Sequence, residues 1–250
     1  MSAPEVIVTP DEARLVRALA QAVAEVLAAP GRHDLVVTGG GVGTEVLAAL
    51  AQPERGGLVD SGGLAAPVID WSMVHIWWGD ERFLPEGHAE RNETGARAAL
   101  LDHVPIPESN VHPMPADRGQ GVTAAALSYA DELARHSTDG FVPDFELLLL
   151  GMGPEGHIAS LFPGMPALHA STSTVAITDS PKPPPLRVSL TLAAIRSAHQ
   201  VWIGAAGSSK AEAAAHAADP QTDVETCPAA GARGREATLL WLDQAAAARL

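Results

Sequence analysis

The sequence has a single cysteine and no long apolar segment. Cys227 has no second cysteine to pair with and no metal-ligand spacing around it, which is typical of a protein kept in a reducing compartment. No apolar stretch approaches the roughly 20 residues that a transmembrane helix needs. The segment from Met1 to Pro10 lacks the basic and apolar regions of a signal peptide. We therefore expect a soluble cytoplasmic protein with no membrane partner.

Positive charge is scarce as well. The 16 lysine and arginine residues are outnumbered by 30 acidic ones, which gives a formal net charge of −14. Such a surface repels nucleic acid and anionic lipid, so an anionic ligand needs a site built locally from a few cations. Only two of the cations are lysines, Lys182 and Lys210. We expect no nucleic-acid partner and no obligate protein partner.

Segments with helical and with strand periodicity alternate along the chain. A Thr-x-x-Glu capping box at Thr9 and the helical spacing of apolar residues predict a first helix over residues 10–29. The other predicted helices span residues 45–50, 90–103, 121–136, 243–249 and an alanine-rich segment after Lys210. The predicted strands span residues 35–37, 71–78, 146–150, 174–178, 187–192, 200–206 and 237–242, and residues 52–67 are expected to form an irregular loop. This order predicts one α/β domain, residues 1–250, built on a parallel sheet with helices on both faces.

The segment 145–164 carries the clearest functional signal. Its four leucines at 147–150 predict a strand buried on both faces, and a glycine-rich turn containing Glu155 and His157 follows. Residues 158–162 are expected to begin a helix. In an open parallel sheet ligands bind outside the carboxyl ends of the strands, where this turn would lie. The plain alternative is a tight turn whose histidine happens to be exposed.

Three further turns carry polar groups at the expected ends of strands. The turn at 38–44 is rich in glycine and opens a helix, so its amides are suited to an anion, although it lacks the dinucleotide-binding and P-loop patterns. Asp80 and Arg82 follow the strand that ends at residue 78. Lys210 lies near a predicted helix start, where it would make a phosphate clamp. Each has a plain alternative. The turn at 38–44 would be purely structural, the charges of Asp80 and Arg82 would be solvated, and Lys210 would be an ordinary surface lysine.

Several other chemistries have no pattern in the sequence. There is no Gly-x-Ser-x-Gly elbow of serine hydrolases, and neither His-Glu-x-x-His nor Cys-x-x-Cys is present for zinc. Of the ten histidines, only His157 lies in a glycine-lined turn at a predicted sheet edge. The others show no shared spacing, and we expect most of them to be structural or solvated: His33, His75, His88, His103, His112, His136, His169, His199 and His216.

Together these motifs resemble the 6-phosphogluconolactonases of the pentose phosphate pathway over nearly the whole chain. The segment 151–163, Gly-Met-Gly-Pro-Glu-Gly-His-Ile-Ala-Ser-Leu-Phe-Pro, is similar to the family signature, and Asp80-Glu81-Arg82 is similar to its Asp-Glu-Arg motif. Further matching segments follow in the expected order: Asn92, 110–114, 181–184, 187–192, 207–211 and 241–243. The resemblance implies a Rossmann-like three-layer sandwich with a mostly parallel sheet, related to glucosamine-6-phosphate deaminases and ribose-5-phosphate isomerases. It also implies no metal and no organic cofactor.

The resemblance further implies hydrolysis of 6-phospho-D-glucono-1,5-lactone to 6-phospho-D-gluconate. His157 would be the general base that activates water, because the pKa of histidine lies near the operating pH. Glu155 would orient the imidazole, and Asp80 would hold Arg82 or a sugar hydroxyl. The substrate-binding residues, including those around the phosphate, would be Gly39, Gly40, Gly41, Thr44, Arg82, Asn92, Arg187 and Lys210.

The sequence departs from the family pattern and leaves two alternative functions open. Gly41-Val42 replaces a hydroxyl residue and a proline, Glu155 replaces aspartate, Ile158 replaces threonine, and the loop at 52–67 is longer than expected. An aldose–ketose isomerase or amino-sugar phosphate deaminase would share the scaffold but need a base at C2. A non-catalytic sugar-phosphate sensor would need an output module such as a DNA-binding helix-turn-helix, which the acidic charge opposes.

Overall fold

The computed structural model describes residues 3–51 and 67–250, so the loop predicted at 52–67 lies, except for Pro67, outside the described residues. The strands are β1 (Glu5–Thr9), β2 (His33–Val37), β3 (Val74–Trp78), β4 (Asp80–Arg82), β5 (Val111–His112), β6 (Leu147–Gly151), β7 (Thr174–Ile177), β8 (Arg187–Leu190), β9 (Gln200–Ala205) and β10 (Ala237–Asp243). The α-helices are α1 (Glu12–Leu27), α2 (Gly41–Ala51), α3 (Asn92–Ala99), α4 (Val122–Arg135), α5 (Leu192–Arg196), α6 (Ala211–Ala218) and α7 (Pro228–Gly231). Short 3-10 helices lie at Trp71–Met73, Leu101–His103, Glu108–Asn110, Pro166–His169 and Ser208–Lys210. No helix within the two described ranges is long and apolar enough to cross a bilayer.

Seven of the described strands form one sheet in the order β1-β10-β9-β6-β2-β3-β5. Every neighbouring pair in it is parallel, which confirms the predicted α/β class. Because both faces are covered, the central strands are apolar along their length. Residues 147–150 of β6 and 35–37 of β2 are all buried. Removing these leucines and valines from water is a main source of the sheet's stability.

The strand register places helices on opposite faces of this sheet. Successive residues of a strand alternate between the two faces of a sheet. Counting positions along the paired strands β9, β6, β2 and β3 therefore shows that Gly204 and Trp77 lie on opposite faces. On the Gly204 side α1 and α2 pack closely, since a Cβ there would lie 3.2 Å from both Leu19 and Val42. On the other side Tyr129 of α4 packs near Trp77, with ring centroids 6.4 Å apart. The sheet is therefore the middle layer of three, as the predicted sandwich requires.

The order of the strands reverses next to β2. From β2 the chain continues outward through β3 and β5, then returns to β6 on the other side of β2 and continues through β9 and β10. In open parallel sheets the crevice at such a reversal, outside the carboxyl ends of the strands, is where ligands bind. The loops that begin at Thr38 after β2 and at Met152 after β6 flank this crevice.

A separate antiparallel sheet of β4, β8 and β7 is not predicted from the sequence. The strands predicted at 174–178 and 187–192 are present as β7 and β8, but they do not join the parallel sheet. β8 lies between β7 and the three-residue β4, which follows β3 after Gly79 alone. The register of this sheet pairs Arg82 with Arg187, so two distant cationic residues are brought to one place.

The first helix begins later than predicted. β1, which the sequence analysis missed, extends through Thr9 and pairs along its whole length with β10. The predicted capping box at Thr9 is wrong, because the helix has its N-cap two residues later. α1 instead begins at Glu12, after Asp11, whose side chain accepts a hydrogen bond from the amide of Arg14 at 2.8 Å.

Two further predicted helical segments are turns. In residues 158–162 Ala159 takes a left-handed backbone conformation, with φ of 47°, which interrupts a right-handed helix. The amide of Leu161 then donates to the carbonyl of Ile158 at 2.9 Å and closes a turn. At the other predicted helix, 243–249, β10 continues through its first residue and turns follow. The few residues left there are too short a segment for a stable helix.

Candidate active site

A cavity of about 430 Å³ opens at the carboxyl ends of β2, β6 and β9, beside β4. It occupies the crevice that the reversal of strand order predicts. Nine of the predicted site residues line it: Gly39, Gly40, Gly41, Asp80, Arg82, Asn92, His157, Arg187 and Lys210. The other two, Thr44 and Glu155, are not among its lining residues, although Glu155 contacts His157 directly. Residues from distant parts of the chain thus converge on one cavity.

The glycine-rich turn after β2 presents backbone amides at the cavity. α2 begins with residues 41–43, whose amides have no partner within the helix. Gly39 has to be glycine because a Cβ there would lie 2.0 Å from Asn92 Oδ1. The amide of Thr44, in contrast, donates to the carbonyl of Gly40 at 2.9 Å and is not available to an anion.

His157 is held by its neighbours in the turn after β6. Its Nδ1 lies 3.1 Å from Glu155 Oε1, and the same carboxylate oxygen lies 2.8 Å from Lys182 Nζ. The imidazole stacks on Phe162, with ring centroids 4.3 Å apart. Gly153 makes room for the ring, because a Cβ there would lie 1.9 Å from Nδ1. Nδ1 also lies 3.5 Å from Lys182 Nζ, so Nε2 is the ring nitrogen that has no hydrogen-bond partner among the described residues.

The pKa values of His157 and Glu155 are both lowered. Burial lowers the pKa of His157 and the Lys182 ammonium lowers it further, against the opposing charges of Glu155 and Asp80. The imidazole is therefore neutral at pH 7. Burial acts to raise the pKa of Glu155, but the hydrogen bond from Lys182 and the charge of that ammonium help to outweigh it. The pair is a neutral imidazole in close contact with a carboxylate.

Two adjacent acids position the residues on the β4 side of the cavity. Asp80 accepts a hydrogen bond from Ser160 Oγ at 2.6 Å, and its backbone carbonyl accepts one from Asn92 Nδ2 at 2.8 Å. Glu81 accepts hydrogen bonds from the amides of Asn92, at 2.7 Å, and Glu93, at 2.9 Å. The start of α3 and the turn that carries His157 are therefore both anchored to β4.

The two predicted arginines are held in different ways. The buried Arg187 guanidinium donates to the three backbone carbonyls of residues 182–184, at 3.0 to 3.1 Å. It holds the proline-rich segment against the site, and few of its donors remain for a ligand. Arg82 donates through Nη1 to the carbonyl of Glu90 at 2.6 Å. Its Nε is buried and has no hydrogen-bond partner within the described part of the chain, and Arg82 lines the cavity.

Both lysines of the chain line the cavity. Lys210 follows a turn that Asp243 fixes by accepting a hydrogen bond from the amide of Gly207 at 3.0 Å. Burial lowers the pKa of Lys210 and so does the charge of Lys182, so the two ammonium groups are within electrostatic reach of each other. Sequence reasoning gave Lys182 no role, although the rarity of lysine singled it out. Glu12 also lines the cavity, and no sequence signal pointed to it.

Comparison with known proteins finds relatives of this chain. The family model for glucosamine-6-phosphate isomerases/6-phosphogluconolactonase matches residues 10–241. A 6-phosphogluconolactonase of Streptomyces coelicolor is 46% identical over 258 aligned residues, which cover 99% of this chain and 95% of the relative. The crystal structure of devB protein matches with a TM-score of 0.83 at 27% identity, over 98% of this chain and 99% of that one. A monomeric glucosamine-6-phosphate deaminase has the same fold, with a TM-score of 0.78 at 18% identity, over 98% of this chain and 100% of the other.

Proposed function

The chain belongs to the glucosamine-6-phosphate isomerase/6-phosphogluconolactonase family, and we propose that it hydrolyses 6-phospho-D-glucono-1,5-lactone to 6-phospho-D-gluconate. It is a hydrolase that acts on a lactone ester, as its 46% identity to a lactonase over nearly the full length supports. The observation that carries the mechanism is the neutral imidazole of His157, held at Nδ1 by Glu155 in a cavity that two lysines also line.

His157 acts as the general base in this mechanism. Its Nε2 takes a proton from a water molecule whose oxygen attacks the C1 carbonyl of the lactone. Glu155 stabilises the imidazolium that forms, because its carboxylate faces Nδ1 at 3.1 Å. The bond between C1 and the ring oxygen O5 then breaks, and the imidazolium returns the proton to O5. One water molecule is consumed, and the base is restored for the next turnover.

Lys210 and the amides of residues 39–43 bind the phosphate. The first turn of α2 supplies free N–H groups and the positive end of the helix dipole, and the lysine adds a full charge. This is the local cationic site that a chain with a net charge of −14 needs for an anionic substrate. Thr44 is not part of this site, because its amide is bonded to Gly40 and the residue does not line the cavity. Binding of the remote phosphate then positions the lactone for attack.

The arginines have separate tasks in this arrangement. Arg82 lines the cavity, and its guanidinium charge stabilises the negative charge that develops on the carbonyl oxygen. Arg187 is a positioning residue, because its guanidinium holds the segment that carries Lys182. Asp80 and Asn92 fix the β4 side of the cavity, where sugar hydroxyls are bound.

We also propose the domain organisation of the enzyme, its class of ligand and its cellular location. Residues 1–250 make one domain, and the ligand is a small sugar-phosphate lactone rather than a nucleic acid or a membrane. The protein works in the cytoplasm, where the free thiol of Cys227, buried in the structure, stays reduced. We propose no obligate protein partner.

A substrate comparison tests the function. Freshly prepared 6-phosphogluconolactone is followed in a pH-stat, with the rate corrected for spontaneous ring opening. We expect kcat/KM in the range of about 10⁴–10⁸ M⁻¹ s⁻¹ and no turnover of glucosamine-6-phosphate or ribose-5-phosphate. Turnover of glucosamine-6-phosphate would instead identify a deaminase, and tight binding of sugar phosphates without any turnover would identify a sensor.

The same assay tests the phosphate site through Lys210→Ala. Loss of a charge-assisted hydrogen bond should raise KM for the phosphorylated lactone on the order of 10- to 100-fold. Hydrolysis of the unphosphorylated glucono-1,5-lactone should change little, because it has no group at that position. Lys210→Arg, which keeps the charge, is the matched control. Equal losses on the two lactones would remove Lys210 from the phosphate site.

Lys182→Gln should move the acid limb of the kcat/KM profile to higher pH. Burial and the charge of Lys182 hold the pKa of His157 below 6.5, so the parent loses activity only below that pH. Without the ammonium the pKa of His157 rises, and the protonated, inactive form persists to higher pH. Lys182→Arg keeps the charge and should leave the limb in place. The profile between about pH 5 and 8 measures this, and an unmoved limb in Lys182→Gln would show that Lys182 does not act on the base.

A further inference from the structure

We propose that His75, His112 and His136 form a binding site for a divalent transition-metal ion. His75 lies in β3, His112 lies in β5, and His136 follows α4 directly. One ring nitrogen of each lies within 4.8 Å of the other two. None of the three lines the cavity described above, and the site has no part in the proposed hydrolysis. The family resemblance implies no metal, so this site would be an addition to that pattern.

The nitrogen spacing suits a metal held by imidazoles. His75 Nδ1 and His112 Nε2 are 3.0 Å apart. Tetrahedral zinc with bonds of about 2.0–2.1 Å to nitrogen separates its ligand atoms by roughly 3.3 Å, so a small rotation of the two rings would admit the ion. Imidazole is a preferred ligand of zinc, copper and nickel. With three protein ligands, a fourth coordination position is left for water.

A single carboxylate orients two of the rings. Glu132 Oε1 lies 3.1 Å from His112 Nδ1 and 3.3 Å from His136 Nε2. It therefore leaves the opposite nitrogen of His112, Nε2, free for a metal, and this nitrogen is the one that faces His75. Arg135 holds the other oxygen of this carboxylate at 2.8 Å. Histidine ligands of metals usually have such a carboxylate partner on the second nitrogen, which fixes the tautomer and the ring orientation.

The cluster contains one histidine that is held rigidly and two that solvent can reach. His112 is buried and stacks on Trp77, with ring centroids 3.9 Å apart and planes within 7° of parallel. His75 and His136 are only partly buried, so an ion can reach the nitrogens. A bound ion would tie the two-residue edge strand β5 to β3 and to the end of α4. Binding should therefore increase the stability of the fold.

The alternative is a hydrogen-bonded cluster of rings with no ion. In that case His75 and His112 share one proton and His136 bonds only to Glu132. The two arrangements differ in what zinc does to the protein. A hydrogen-bonded cluster gains nothing from zinc, whereas the metal site binds one equivalent and raises the melting temperature.

The test is a titration of the chelator-treated full chain with ZnCl₂ at pH 7.5, followed by calorimetry and thermal unfolding. We expect one equivalent to bind with a micromolar or tighter Kd and Tm to rise on the order of 5–10 °C at a hundredfold excess over Kd. Co²⁺ should give the visible absorption of a tetrahedral site. His136→Gln should abolish the Tm shift, whereas His169→Gln should keep it, because His169 is exposed and pairs with Glu225 outside the cluster.

His75→Gln is the second variant, in case the first perturbs the end of α4. Both cluster variants should keep the lactonase rate of the parent when no zinc is present, so this test is independent of the proposed function. Absence of stoichiometric binding to the parent would overturn the proposal. So would undiminished zinc affinity in both His75→Gln and His136→Gln.

Discussion

Replacing His157 by alanine should lower kcat for 6-phosphogluconolactone by about 10²–10⁴-fold, the usual contribution of a positioned general base. The ring is stacked on Phe162 and held at Nδ1 by Glu155, so its catalytic value rests on an Nε2 of fixed position. Affinity for the product 6-phosphogluconate should be nearly unchanged, because the proposed phosphate site consists of Lys210 and the turn after β2. Steady-state kinetics and calorimetric titration of the product measure the two effects separately.

His169→Ala is the matched control for this substitution, because that imidazole is exposed and lies outside the cavity. It should leave both kcat and product affinity as they are in the parent. A loss of kcat without a loss of product affinity is what distinguishes a general base from a binding residue. A His157→Ala variant that turns over near the parental rate would exclude His157 as the base, and one that loses product affinity as well would assign it to binding.

The position of the site could be predicted from the sequence because parallel strands deliver their following turns to one edge. The four leucines of β6, the glycines after β2 and the acid at Asp80 each mark the end of a strand. A parallel sheet then brings these ends together without any knowledge of strand order. Lys210 follows β9 by the same logic, and it also lines the cavity.

The missed features depend on pairing between distant segments, which periodicity does not encode. β4 is only three residues long, and its partner β8 lies more than a hundred positions further along the chain. Lys182 reaches Glu155 from the proline-rich segment whose carbonyls Arg187 holds, and no pattern in the sequence shows this contact. The histidine cluster is a similar case. His75 and His112 approach each other through the register of β3 and β5, so no spacing in the sequence reveals them.

Gly153→Ala should reduce kcat by about 10²-fold or more without unfolding the protein. A Cβ at this position would lie 1.9 Å from His157 Nδ1 and 2.6 Å from Glu155 Oε2, so both side chains must move. A misplacement of about 1 Å in a catalytic group costs on the order of 10² in rate. The backbone of Gly153 does not have a positive φ, so alanine fits it without strain. Measuring kcat together with the melting temperature separates a loss of activity from a loss of stability.

Gly95→Ala in α3 provides the control, because a Cβ there meets nothing within 4 Å. It should leave kcat unchanged and stabilise the fold by about 0.5–1 kcal/mol, the usual gain of alanine over glycine inside a helix. Both substitutions add the same methyl group. A loss of kcat in Gly153→Ala alone would therefore be caused by displacement of the imidazole and not by the added methyl group as such. If Gly153→Ala keeps the parental kcat, the contact between Glu155 and His157 is not what sets the rate. If instead Gly153→Ala melts at a much lower temperature, the glycine is needed for the turn itself rather than for the position of the base.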